Sequence, residues 1–316
     1  MTGSRGACHA SAMSRLRRLL PLFACALLGL AGCSPDKAPA ATSGTGSLSG
    51  VLLDSQLAEI SGLAASRRHR NVLWLHDDGG NPPRLFAVNP DGDRLATLRI
   101  EGVTKTDWED MAAFRMGGRN YLLIADTGDN GGLRRTLQLH VIEEPARLEN
   151  ARLRPVWSIA FRWPDGARDC EAVAVDERAG QILLISKKRQ PPEVFTLPLR
   201  AQTGVQTAQL VGPLTGVPQP TARELRANAK QARIMNQVTA ADIAPDDSTL
   251  AVMTYRTLVL YPRGNGESWA RAIARAPRVI ELPWIPQAEA LGWSADGKGL
   301  YATGEFIPAP LYRIAP

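Results

Sequence analysis

Three glutamates, Glu109, Glu171 and Glu289, stand at the same position of a short pattern that recurs along the chain. Carboxylates brought to one place repel each other unless they share a cation or a basic side chain. An all-oxygen ligand set suits a hard cation, Ca²⁺ before Mg²⁺. Asp126 and Asp129, in the run Asp126-Thr127-Gly128-Asp129-Asn130-Gly131-Gly132, offer further ligands of the same kind. That run has the composition of a calcium loop without the spacing or distal glutamate of an EF-hand, and Asp, Asn and Gly equally build hairpin turns. His76, Asp77, Asp107, Asp169, Lys187, Arg256 and Glu305 complete the candidates, for proton transfer or for holding an anion. Two other readings of the glutamates stand beside the cation. Each can accept backbone N–H bonds from a neighbouring element and lock the fold, or pair with Lys187 or Arg256. Lys187-Lys188-Arg189 reads either as an anion site or as a solvated turn.

Several chemistries have no motif here. There is no HExxH, no paired cysteine ligands, no GxSxG elbow and no Walker loop, and the four histidines never fall at zinc-ligand spacing. Zinc hydrolysis, serine-elbow esterase chemistry and P-loop chemistry are disfavoured.

The elements that must position these residues follow from the repeat. Its copies are Ser61-Gly62-Leu63-Ala64, Glu109-Asp110-Met111-Ala112, Glu171-Ala172-Val173-Ala174, Ala241-Asp242-Ile243-Ala244 and Glu289-Ala290-Leu291-Gly292. After each copy comes a turn signal, then a β-rich run, a second turn and a third run; four of the units show a fourth run. Four short strands per unit is the signature of a β-propeller. The chain therefore reads as all-β, with five four-stranded blades over residues 47–316. The last unit ends after three strands, and Leu48 to Leu53, just before the first copy, supplies the missing fourth and closes the ring. A sixth blade would have to lie in Leu214 to Gln237, where Thr221 to Ile234 lacks alternation and is rich in helix formers; residues 215–237 read as a helical insertion. Inner strands that start at one end of the channel, and second strands that finish there, deliver the candidates to a single mouth. The tryptophans are scattered over the whole repeat and read as blade packing.

The runs Ile60-Ser61-Gly62-Leu63, Leu73-Trp74-Leu75-His76-Asp77-Asp78-Gly79, Asp107-Trp108-Glu109-Asp110 and Asp126-Thr127-Gly128-Asp129-Asn130 resemble a group of bacterial exported propellers. That group sits loosely with the SdiA-regulated, phytase-like and TolB-like propeller proteins. The resemblance implies the propeller fold and export, and names no single reaction.

The N-terminus carries its own chemistry. Arg15, Arg17 and Arg18 precede an apolar run from Leu19 to Leu30, too short to span a bilayer and the length of a signal-peptide core. It ends in Leu30-Ala31-Gly32-Cys33, which resembles a bacterial lipobox: residues 1–32 are the signal, and Cys33 is the acylated mature N-terminus. Residues 33–46, rich in Ser, Pro, Ala, Gly and Thr, read as a flexible tether. Ser34 after the cysteine points to the periplasmic face of the outer membrane. The net charge of +6 is largely this signal; without residues 1–32 there are 33 Lys and Arg against 31 Asp and Glu, so no nucleic-acid partner is indicated. Of the four cysteines only Cys170 remains in the folded part, which leaves no intramolecular disulfide.

Two functional classes are compatible with these residues. One is a lipid-anchored binding or scaffold module of the envelope, taking a protein or a small anionic ligand at an acidic, calcium-holding mouth. The other is a divalent-cation-dependent hydrolase, phytase-like or lactonase-like, so the sequence does not decide whether the protein is an enzyme. The anchor makes its own prediction: Cys33→Ser should abolish lipid labelling and release the protein from membranes, and unchanged membrane association would refute the lipobox.

Overall fold

Each blade begins with an inner strand that is almost wholly buried and ends with an outer strand that is more exposed. A computed structural model describes residues 42–43 and 46–316; the signal, Cys33 and the first part of the tether lie outside the described residues. The first blade is built of Ile60–Ala65, Leu73–Asp77, Arg84–Val88 and Arg94–Ile100. The second comprises Trp108–Met116, Arg119–Asp126, Leu137–Glu143 and Trp157–Arg162. Cys170–Asp176, Gln181–Ser186, Glu193–Pro198 and Gln209–Pro213 form the third. The fourth holds Val238–Ile243, Thr249–Thr254, Thr257–Pro262 and Arg278–Glu281. The fifth holds Ala288–Trp293, Leu300–Gly304 and Ala309–Ile314.

The ring is a five-bladed propeller, and its closure is the expected one. Gly46–Leu52 pairs antiparallel with Ala309–Ile314 and becomes the outer strand of the fifth blade. The inner strands pack against one another in turn around the axis, the fifth against the first. Between the third and fourth blades lies a helix, Ala222–Ile234, opened by a capping box in which the Thr221 hydroxyl accepts from the Glu224 N–H and the Glu224 carboxylate accepts from the Thr221 N–H.

Three blades carry a fifth strand borrowed from elsewhere in the chain. Ala151–Leu153 lies parallel to Arg94–Ile100, Gln206–Thr207 to Trp157–Arg162, and Thr42–Ser43 to Arg278–Glu281. The last pair corrects the tether boundary, because two of its residues belong to a sheet. The borrowed strands cover outer edges that would otherwise present unpaired N–H and C=O groups. Five apolar clusters fill the gaps between blades, and Trp74, Trp108, Trp163, Trp269 and Trp293 are buried. Trp284 is the exception, 80% exposed in the link between the fourth and fifth blades.

A β-bulge interrupts the start of every inner strand. The register slips by one residue at Ser61, Glu109, Glu171, Thr239 and Glu289. A bulged residue has no partner on the second strand, so its side chain is re-aimed, here toward the axis. The structure thereby corrects the fourth copy of the repeat: the equivalent of Glu109 is Thr239, two residues before Ala241. The Ala-Asp-Ile-Ala run imitates the pattern by composition while standing out of register with it.

Blade-to-blade locking falls to aspartates, not to the glutamates. Asp110 is fully buried; its Oδ2 accepts from the Val173 N–H of the third blade (2.8 Å) and the Ala241 N–H of the fourth (3.1 Å), while Oδ1 accepts from the Met111 N–H (2.8 Å). Asp242 does the same one step on, accepting from the N–H groups of Trp293 and Ile243. Each buried N–H left without an acceptor costs about 1–3 kcal/mol. Asp110→Ala strands three of them and should destabilise the domain by at least about 3 kcal/mol, seen as a clear fall in melting temperature. A variant as stable as the parent would show that the ring does not depend on this carboxylate.

Candidate functional site

The bulges bring Glu109, Glu171 and Glu289 to one mouth of the channel with Ser61 and Thr239 between them. The two hydroxyls bridge blades: Ser61 Oγ donates to the Glu109 carbonyl (2.7 Å) and Thr239 Oγ1 to the Ala288 carbonyl (2.8 Å). Turns between second and third strands complete the rim with Asp78, Lys187, Lys188, Tyr255 and Glu305.

The three glutamates have different surroundings. Glu171 forms an ion pair with Lys187. Burial opposes the Lys187 charge, yet the Glu171 carboxylate beside it holds its pKa above the ordinary lysine value. Lys187 also donates to the Tyr255 hydroxyl (3.1 Å), which in turn donates to Glu289. Burial, then a hydrogen bond to the Glu305 carboxyl and the charge of Glu171, push Glu289 up to about 9. On this side of the mouth the Lys187 ammonium and the Tyr255 hydroxyl already engage the carboxylates of Glu171 and Glu289.

Glu109 has no such partner. It is 4% exposed and forms no ion pair among the described residues. The Ser61 hydroxyl lies 3.4 Å from its Oε2, but that hydroxyl has one hydrogen, committed at 2.7 Å to a backbone carbonyl. Glu109 is thus a buried carboxylate whose side-chain donor among the described residues is one long, shared hydroxyl. Burial and the charges of Glu171, Asp78 and Asp107 hold its pKa well above the usual range.

Two carboxylate groups meet at Glu109: Asp78, Asp107 and Glu109, and Glu109, Asp169 and Glu171. In each, one oxygen per residue lies within 4.8 Å of the others. That separation is about twice a Ca–O bond, so one ion can touch all three. Lys187 and Lys188 sit on Glu171 and Asp169, the latter at 2.9 Å, and disfavour a metal in the second group. No lysine or arginine forms an ion pair with the first group among the described residues, although the charges of Lys105, Arg134 and Lys187 reach Asp78, Asp107 and Glu109 in turn. Asp107 is raised to about 6, by burial first and then by Asp78 and Asp169, and Asp78 is raised chiefly by burial. The backbone is shaped to this group. A Cβ on Gly128 would stand 2.1 Å from Glu109 Oε1 and 2.4 Å from Asp107 Oδ2, so the Asp126 turn closes over the acids only with glycine there.

The remaining candidates are committed elsewhere. Asp126 accepts from the N–H groups of Thr106 and Asp107 and pairs with Arg134 (2.6 Å). Asp129 accepts from the N–H groups of Leu133 and Arg134, so of the two readings of this run the turn is the one its contacts express. Asp169 accepts from the Asp129 N–H and pairs with Lys188, which also donates to Asn130 Oδ1 (2.7 Å). Lys188 is therefore not a simply solvated turn residue. Arg256 pairs with Glu224 of the insertion helix and donates twice to Asn236 Oδ1. His76 is fully buried edge-on to Trp108, with Nδ1 at the Asp77 carbonyl; burial, then Lys105, lower its pKa to about 4. An imidazole so enclosed does not exchange protons with a ligand in the mouth. Asp77 is gripped by Lys105 (2.6 Å) and Arg84 (3.3 Å). Of the acids singled out in sequence, Glu109 comes together with Asp107 on one side and with Asp169 and Glu171 on the other. The third partner of Glu109 and Asp107 is Asp78, which the sequence places at the same mouth without marking it as a ligand.

No family profile matches the chain, and no curated protein matches it. Solved structures do match. One is described as the crystal structure of RRP9 WD40 repeats, at 12% identity and a TM-score of 0.38, covering 81% of this chain and 67% of that one.

The shifted carboxylates fix a pH dependence. Glu289 ordinarily titrates near 4.5 and is raised to about 9; Asp107 moves from 3.8 to about 6. Between those limits the folded state binds more protons than the unfolded chain, so stability falls as pH rises. In chelator, the melting temperature should be higher at pH 5 than at pH 8, and Glu289→Gln should reduce that difference. A melting temperature that climbs steadily to pH 8 would contradict this assignment.

Proposed function

We propose that this protein is an exported, lipid-anchored β-propeller that serves as a binding module of the cell envelope, with a calcium ion held at its mouth by Asp78, Asp107 and Glu109. The Arg-rich start, apolar run and Leu30-Ala31-Gly32-Cys33 support export and anchoring. The observation that carries the cation is Glu109: a buried carboxylate with no ion pair among the described residues and only a long, shared hydroxyl donor, grouped with two further carboxylates under a turn that admits no side chain. A hard cation supplies the missing positive charge, and its remaining positions take water or an oxygen of a ligand. The hydrolytic reading draws no support from His76, which is sealed, or from Lys187 and Arg256, which are bonded within the fold.

Binding to the folded state alone stabilises it by roughly 2.7 kcal/mol at about 100 times the dissociation constant. Calcium should therefore raise the melting temperature by about 5–10 °C. The gain should be larger at pH 8 than at pH 5, since protons compete for the same oxygens. Glu109→Gln should remove most of it while leaving stability in chelator unchanged or higher, and Glu289→Gln should retain it. An equal, calcium-independent loss in both variants would defeat the proposal.

A further inference from the structure

We propose that a cleft on the outer part of the first blade binds a phosphate-bearing anion, with Arg99 at its centre. The observation is a row of arginines across three adjacent strands. Arg84 of the third strand pairs in register with Arg99 of the fourth, and Arg99 pairs in register with Arg152 of the borrowed fifth strand. In-register neighbours share a face of the sheet, and strands are about 4.8 Å apart, so three guanidinium stems stand side by side within about 10 Å. Like charges placed directly opposite destabilise a sheet. Such a row persists where acids neutralise it or where an anion does.

Acids neutralise only its ends. Arg84 reaches Asp77 at 3.3 Å, and Arg152 reaches Glu101 at 3.2 Å, an acid that Arg154 also approaches at 3.7 Å. Arg99 is exposed, and its side chain forms no hydrogen bond or ion pair among the described residues. The three line a cleft of about 630 Å³ with Arg94, whose guanidinium is fixed by Asp54 at 2.8 Å. The guanidinium of Arg84 lies over the Phe86 ring, 4.9 Å from its centre. Pro82 and Pro83 make a stiff wall, and the Thr97 and Asn150 side chains add polar groups. Three of the four arginines already pair with acids, Arg84 with Asp77, Arg94 with Asp54 and Arg152 with Glu101, so the uncompensated positive charge of the cleft sits on Arg99.

The geometry selects the ligand class. A carboxylate satisfies one guanidinium fork, whereas a tetrahedral phosphate dianion has three free oxygens and can bridge two or three neighbouring forks. The volume suits a small organic phosphate. The same chemistry is offered by a soluble phosphate ester and by an anionic lipid headgroup. The cleft owes nothing to the mouth, so this inference is independent of the calcium reading.

The test uses the full chain in a neutral detergent. One arm titrates pyrophosphate by calorimetry; the other compares mixed micelles carrying phosphatidic acid with micelles carrying phosphatidylcholine. Arg99→Gln should weaken binding by at least about tenfold, the size of one lost bidentate contact, with Arg99→Lys falling between. Arg200→Gln, an exposed change of equal charge outside the cleft, should bind as the parent does. Binding of pyrophosphate supports a soluble ligand; binding of phosphatidic acid alone supports a lipid headgroup. The proposal is overturned if neither binds, if Arg99→Gln binds as the parent, or if Arg200→Gln weakens binding as much as Arg99→Gln.

Discussion

One extra residue at the start of each inner strand governs the mouth of this propeller. Ordinary pleating would point alternate residues into the gaps between blades, where the core is apolar. The bulge breaks that alternation once per blade, at Ser61, Glu109, Glu171, Thr239 and Glu289. Five polar side chains thereby face the axis without disturbing the aliphatic residues that follow. The ring tolerates them because the next residue inward takes over cohesion: Asp110 ties the second blade to the third and fourth through backbone N–H groups. Placing the lock on Asp110 leaves Glu109 with no structural bond to make.

Chemical asymmetry then arises on a nearly symmetric frame. Two of the five bulge positions are hydroxyls that bond backbone. Two are glutamates engaged with Lys187 and Tyr255. Of the three glutamates Glu109 alone makes no ion pair or short side-chain hydrogen bond among the described residues, and the turns from Asp78 and Asp126 crowd toward it. A symmetric ring of five acids would spread repulsion evenly and hold no single ion well. The departure from symmetry makes one defined site.

Most of the architecture was legible in the sequence because a propeller repeats its local grammar. Five copies, their turns and the closing strand before Ile60 all show in residue pattern. The failures have a common physical cause. The fourth copy was read two residues late because composition does not reveal a bulge, and Thr239 looks unlike a glutamate. The borrowed strands Ala151–Leu153 and Gln206–Thr207 were missed because their partners lie in other blades. Choosing among cation, backbone lock and ion pair for the glutamates requires knowing which side of the bulge faces backbone, and Asp110 and Asp242 are the residues on that side. The arginine row is invisible for the same reason: Arg84, Arg99 and Arg152 become neighbours only through register.

Asp77 connects the two charged regions. It is buried at the end of the second strand of the first blade, with Lys105 on one side and Arg84 on the other. A lone carboxylate there would carry a large desolvation cost; two cations offset it. The arrangement has a consequence in each direction. Lys105, held by Asp77, faces the ring of Trp108 and stays near the acids without pairing with Glu109. Arg84 is drawn inward, which fixes the inner end of the arginine row and leaves Arg99 as its free member. A negative mouth and a positive cleft can therefore coexist on one blade, because a buried carboxylate holds the cations that would otherwise bridge them.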